Sequence, residues 1–267
     1  MSSQPNGASI LFIPHGGGPL PLLGDPGHAK LGAFLRRMGE QLPRPEAIVL
    51  ISAHWEAPQV RLTGGAHPEL IYDYQGFPEA AYQLRYPAPG QATLACELQR
   101  ALSSAGIPAH LDAGRGFDHG MFVPLALMYP DADIPVVQVS LLSSLDGAEH
   151  VALGRALQAL RERRLLVLGS GATYHNLQAY FAGTMDRRAH ADFEQWLHQR
   201  CCDPALSDDQ RQTALANWQQ APGALHCHPR AEHLLPLQVC AGMASGPAQR
   251  VFFDDIMGEP SSAFLWQ

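Results

Sequence analysis

No apolar run in this chain approaches the roughly 18 to 20 residues that a bilayer-crossing helix needs, so a membrane partner is not expected. Basic residues are scarce. There are 18 Lys and Arg against 25 Asp and Glu, a net charge of -7, and no long basic run. That balance excludes nucleic acid or an anionic lipid surface as the main partner. The five cysteines are odd in number and lack CxxC spacing, which excludes a disulfide framework and a cysteine zinc site. Reduced thiols follow, and with them a cytoplasmic location. The segment Met1 to Ala8 is polar and lacks a signal-peptide pattern, which agrees.

Several catalytic signatures are missing as well. HExxH does not occur, and Gly169-Ser170-Gly171 lacks a glycine of the GxSxG nucleophile elbow. The run continuing to Thr173 has neither GK[ST] nor GxGxxG, so it is no phosphate loop. No repeat or linker divides the chain, and residues 1–267 read as one domain, large enough for a sizeable core.

What is present is a recurring design: an apolar β-type run that stops at a histidine. Ile10-Leu11-Phe12-Ile13-Pro14 stops at His15, with Gly16-Gly17-Gly18 beyond it. Ala47 to Ala53 stops at His54, followed by Trp55 and Glu56, and Leu165 to Gly171 leads on to His175. Runs of Val, Ile and Leu read as buried parallel strands. Leu31, Phe34, Leu35, Met38 and Leu42 at helical spacing predict a crossover helix over 28–42. Further helices are predicted over 91–105, 147–163 and 186–220, with another starting near Arg230 after Pro229, and strands over 135–141 and 250–253. The expected fold is therefore α/β: one central, mostly parallel or mixed sheet, flanked by helices on both faces. Its site should lie at the strands' carboxyl ends.

Imidazole is the commonest metal-binding side chain, so histidines converging at those ends point to a metal centre. The glycines after His15 permit close backbone approach, or merely a turn. Glu56 is a candidate acceptor for the His54 ring. His119 stands between Asp118 and Gly120, and Asp118 reads either as its partner or as a turn residue. His226 and His228, two apart, would share a face on a strand. Residues 64–91, rich in Gly, Pro and Tyr, exceed an ordinary connection and read as a functional loop or a self-packed Ω-loop.

Taken together, seven segments resemble one family: Pro14-His15-Gly16-Gly17-Gly18-Pro19, Ser52-Ala53-His54-Trp55-Glu56, Tyr72 to Pro78, Leu84 to Gly90, Asp118 to Leu125, Gly169-Ser170-Gly171 and His228 to Leu237. It is the 4,5-DOPA extradiol dioxygenase branch of the LigB-type ring-cleavage enzymes, and the likeness spans roughly residues 9 to 257. The resemblance implies a non-haem Fe(II) enzyme that inserts both atoms of O₂ into a catechol, next to its two hydroxylated carbons. It implies His15 and His54 as metal ligands and His228 as the third. His175 would be the acid/base, with a further claim to the metal, and His119 a pocket residue bonding substrate or oxygen. An all-histidine set lacks the carboxylate usual at oxygen-activating iron, so Zn(II) is expected to compete for the site in purified protein. Partners are then a small aromatic catechol and O₂, with a homo-oligomer left open. The rival readings are a zinc-dependent hydrolase and a non-catalytic metal-binding relative.

Overall fold

The computed structural model describes residues 7–267, so the Met1 to Ala8 reading falls mostly outside the described residues. Its strands are β1 (Ser9–Pro14), β2 (Ala47–Ala57), β3 (Val60–Thr63), β4 (Ala109–Asp112), β5 (Val136–Leu142), β6 (Leu165–Gly171), β7 (Gln249–Ile256) and β8 (Glu259–Trp266). They form one sheet in the order β4-β3-β5-β2-β6-β1-β8-β7. The centre is parallel, β5-β2-β6-β1, while β8 joins β1 antiparallel, β7 joins β8 antiparallel and β3 joins β5 antiparallel. The mixed α/β sheet read from the sequence is what the chain adopts.

Side chains alternate across a strand, and here both faces are covered. Ile10, Phe12, Val49, Ile51, Leu165 and Val167 enter one core. Leu11, Ile13, Ile48, Leu50, Leu166 and Leu168 enter the other. This two-sided burial is why the central strands read as continuous apolar runs. The first core is roofed by α2 (Ala92–Ser104), α4 (Gly147–Ala156), α6 (Arg187–Cys202), α7 (Asp208–Ala216) and α9 (Leu235–Met243). The second is roofed by α1 (Ala29–Gln41) and α3 (His119–Met128). Two short helices, α5 (Leu177–Ala182) and α8 (Ala224–Cys227), complete the chain. None of these helices is long and apolar enough to cross a membrane.

Several boundaries differ from the sequence reading. The helical stretch predicted over 186–220 divides into α6 and α7, with a break over 203–207. The predicted helix 147–163 stops as an α-helix at Ala156 and continues as a 3₁₀ turn over Gln158–Glu162. The helix expected at Arg230 begins only at Leu235: Pro236 takes the first turn, where a missing N–H costs nothing. His226 and His228 do not share a strand face, because His226 lies within α8 and His228 is its C-cap.

Register levels the functional edge. Pro14 of β1 pairs with Gly171 of β6, and Ser52 of β2 pairs with Ser170. Strand β2 does not end at His54 but runs on to Ala57, with a register shift between Ile51 and Glu56. Such an irregularity re-aims a side chain, and His54 lies inside it.

Candidate metal centre

Ligand nitrogens of His15, His54 and His233 lie within 4.8 Å of one another at this edge. Two of the imidazoles, His15 and His233, are held through Nδ1. The Ser170 hydroxyl gives its one proton to the Gly120 carbonyl and therefore accepts from His15 Nδ1–H at 3.0 Å. That fixes the His15 tautomer and leaves the Nε2 lone pair facing inward. His233 Nδ1–H donates to Glu232 Oε1 at 2.9 Å. His54 Nδ1 faces Asp73 Oδ2 at 3.7 Å, while its Nε2 stands 3.0 Å from His15 Nε2. Two imidazole nitrogens aimed at one point, with their far sides braced by oxygen, is the pattern that orients metal-binding histidines.

Electrostatics agree. Burial, reinforced by neighbouring imidazoles, holds His15 and His54 well below their ordinary pKa. Burial brings His233 down to about 4, against the opposing pull of Glu232. All three are therefore neutral, as ligands must be. Burial works to raise the Glu232 carboxyl, but hydrogen bonds from His175 and His233 outweigh it and hold it well below the usual range. The donor set fits a divalent transition metal: three neutral imidazoles, with anionic carboxylates one bond further out.

His119 and His175 flank this group. The His119 ring lies 3.9 Å from that of His54, and both its Nδ1–H (2.8 Å) and its backbone N–H (3.0 Å) donate to Asp73 Oδ1. His175 stacks on His233, with ring centroids 3.3 Å apart and 14° between planes. Its Nδ1 lies 3.3 Å from Glu232 Oε1, which directs Nε2 elsewhere. Both rings line a cavity of about 330 Å³ together with Tyr74 and Phe77 of the long 64–91 loop.

The expected third member, His228, is not in the group. It is fully buried behind it, with Nε2 against the Thr173 carbonyl at 3.0 Å and its ring edge-on to Phe193 and Trp218. His233, five residues on, stands in its place. The turn over residues 229–234 reverses the chain after Pro229, so the second histidine of the segment, not the first, reaches the sheet edge. Two assumed partners also differ. Glu56 does not serve His54 but forms a two-toothed pair with Arg230 at 2.6 and 2.7 Å. Asp118 does not serve His119: it is buried and accepts from Ser52 (2.7 Å), Arg115 (3.1 Å) and Gln138. Asp73, which the sequence reading passed over, takes the role given to both. Its one signal was a lone carboxylate inside the aromatic Tyr72-Asp73-Tyr74.

The Gly169-Ser170-Gly171 segment now has a physical account. A Cβ on Gly171 would stand 2.0 Å from the His233 carbonyl, and one on Gly169 2.8 Å from that of Pro236. Ala172 N–H donates to that same His233 carbonyl at 2.8 Å. The glycines let the start of α9 lie flat against β6, and the serine between them orients His15. Gly16 follows the same logic on the other side, with φ +83 and a Cβ that would meet Pro21 and His28 at 2.7 and 2.8 Å.

A histidine-lined cleft at the carboxyl edge of a mixed sheet defines a metal-dependent enzyme, and comparison with known proteins agrees. Residues 25–262 match the family described as the catalytic LigB subunit of aromatic ring-opening dioxygenase. The dioxygenase tasH of Hapsidospora irregularis is 39% identical, covering 97% of this chain and 85% of that protein. The 4,5-DOPA dioxygenase extradiol of Beta vulgaris is 38% identical, covering 91% and 90%. That of Escherichia coli K12 is 36% identical, covering 88% and 85%. A crystal structure of an uncharacterized Escherichia coli K12 protein superposes with a TM-score of 0.74 at 30% identity, covering 97% and 99%. The chain belongs to the LigB family, in its 4,5-DOPA extradiol class. It is an oxidoreductase, an extradiol dioxygenase that opens catechol rings with O₂.

Proposed function

We propose that residues 1–267 act as one cytoplasmic catalytic unit in which His15, His54 and His233 hold Fe(II) and His175 and His119 handle protons. The observation that carries this reading is the set of three neutral imidazoles converging on one point, two of them, His15 and His233, braced through Nδ1. Bound iron(II) would supply the redox chemistry that lets O₂ react with the ring and would acidify the catechol hydroxyls. Every other task falls to the chain.

His175 accepts a catechol hydroxyl proton at Nε2, since its Nδ1 faces the Glu232 carboxylate, which steadies the cation that results. The same nitrogen returns the proton later in the cycle. His119, fixed by Asp73, presents Nε2 to the cavity and stabilises charge developing on oxygen there. Tyr74 and Phe77 cover the ring and exclude water. The balance is one catechol plus one O₂ giving one ring-opened product that retains both oxygen atoms.

Three histidines without a carboxylate bind zinc more tightly than iron(II) by the Irving–Williams order. Zinc therefore fills the site in protein purified aerobically, and iron(II) supports turnover. The test is to load the protein with Fe²⁺ under nitrogen, add catechols, admit air, and follow O₂ uptake and the yellow ring-opened product. Equal or better ring cleavage with Zn²⁺ overturns the metal assignment.

A further inference from the structure

The catechol ring accounts for the histidine end of the cavity; its outer end is built differently. Leu20, Phe77, Leu177, Phe181, Ile256 and Met257 line it, and among the described lining residues none is Lys or Arg. We propose that this outer end selects catechols whose ring substituent is uncharged and apolar, and that Leu177 and Phe181 receive that substituent. The proposal rests on the ring-cleavage reading and concerns only the tail of the substrate.

Leu177 and Phe181 lie four residues apart and so share one face of α5. They are 51% and 75% exposed, an apolar pair at the rim left largely open. The helix presenting them is anchored. The Asn176 side chain accepts from Ala179 N–H at 3.0 Å and donates to the His226 carbonyl at 2.7 Å, while Tyr180 Oη–H donates to the Met257 carbonyl at 2.8 Å. A fixed element holding large apolar groups toward a cavity mouth gains when an apolar tail covers them.

Charge argues the same way. The one carboxylate in the lining is Glu259, and its oxygens are already engaged by Arg187 at 3.1 Å and His190 at 3.4 Å. Those contacts compete with a substrate ammonium for its oxygens, and its charge opposes a substrate carboxylate. The carboxylate of a zwitterionic amino-acid tail would lose water without meeting a Lys or Arg among these lining residues.

The test uses the iron-loaded protein and two readouts: kcat/KM from O₂ uptake, and affinity from calorimetry under nitrogen. The series is catechol, 4-methyl-, 4-propyl- and 4-butylcatechol, set against 3,4-dihydroxyphenylacetate, dopamine and L-DOPA. The expected result is a rise of about fourfold per methylene in both readouts, from the usual value of a buried CH₂. 4-Butylcatechol should exceed each charged compound at least tenfold. Phe181→Arg, at an exposed position, should raise the ratio of 3,4-dihydroxyphenylacetate to 4-butylcatechol at least tenfold, with the thermal midpoint as a check on folding. Preference for L-DOPA or the carboxylate, or a ratio that Phe181→Arg leaves unmoved, overturns the proposal. If no catechol is opened, the ring-cleavage reading fails instead, and the affinities under nitrogen still decide the tail preference.

Discussion

Replacing His233 or His228 should separate the proposed metal ligand from a packing residue, although the two are only five positions apart. A four-ligand zinc site is worth about 10 to 16 kcal/mol, so one ligand corresponds to roughly 3 kcal/mol, about two orders of magnitude in Kd. His233→Ala should therefore lose metal on dialysis while keeping its fold. His228→Ala removes the donor to the Thr173 carbonyl and the ring packed on Phe193 and Trp218. An orphaned buried acceptor costs about 1 to 3 kcal/mol. At about 2 to 4 °C per kcal/mol for a chain of this size, the melting midpoint should fall by several degrees. Metal per chain, measured by elemental analysis, should stay at the wild-type value. The reverse pattern, with metal lost from the His228 variant and kept in the His233 variant, would refute the assignment.

Other outcomes follow from the same geometry. His175→Gln should keep its metal and lose about 10² to 10⁴ in kcat, the usual worth of a positioned acid/base; loss of metal instead would make His175 a ligand. Glu232→Gln should weaken metal binding about 10- to 100-fold in a chelator competition, because it braces His233; unchanged affinity would count against that role. Gly171→Ala should lower both the melting midpoint and metal affinity, since its Cβ would displace the His233 backbone. In the metal-free protein, burial takes His228 down to about 3 from an unfolded value near 6.5. The unfolded chain then binds more protons between those values, so stability is complete above about pH 6.5 and declines as pH falls toward 3. At pH 5 the loss from this group is about 2 kcal/mol, and denaturant midpoints in His228→Gln should show a smaller decline than wild type.

The centre of the fold was legible because buried parallel strands leave an unmistakable trace: β1, β2, β5 and β6 are mostly apolar. Their pairing partners at the margins were not. β3 and β4 have only four residues each, and β4 carries polar, exposed His110 and half-buried Asp112. β8 opens with Glu259-Pro260-Ser261-Ser262, which reads as a loop, yet its Ser262 hydroxyl is buried against Glu194 at 2.6 Å. The four histidines His15, His54, His119 and His175, singled out because each follows an apolar run or adjoins a glycine, line one cavity. The segment His228 to His233 offers two histidines and one proline, and periodicity cannot say which ring the turn brings inward. Glu232 beside His233 was the available signal, since a carboxylate next to a ligand is a common brace. Asp73 lay beyond such reasoning: its partners His54 and His119 are brought to it by tertiary folding.

Ser170 and Gly171 are consecutive residues of an interior strand, and they place histidines drawn from opposite ends of the chain. The cradle is thus assembled by the sheet and not by the cation. In small zinc domains the ion is the keystone and its removal collapses the fold. Here a chelator should strip the metal and leave the circular dichroism spectrum unchanged, so that iron and zinc can be exchanged in a protein that never unfolds.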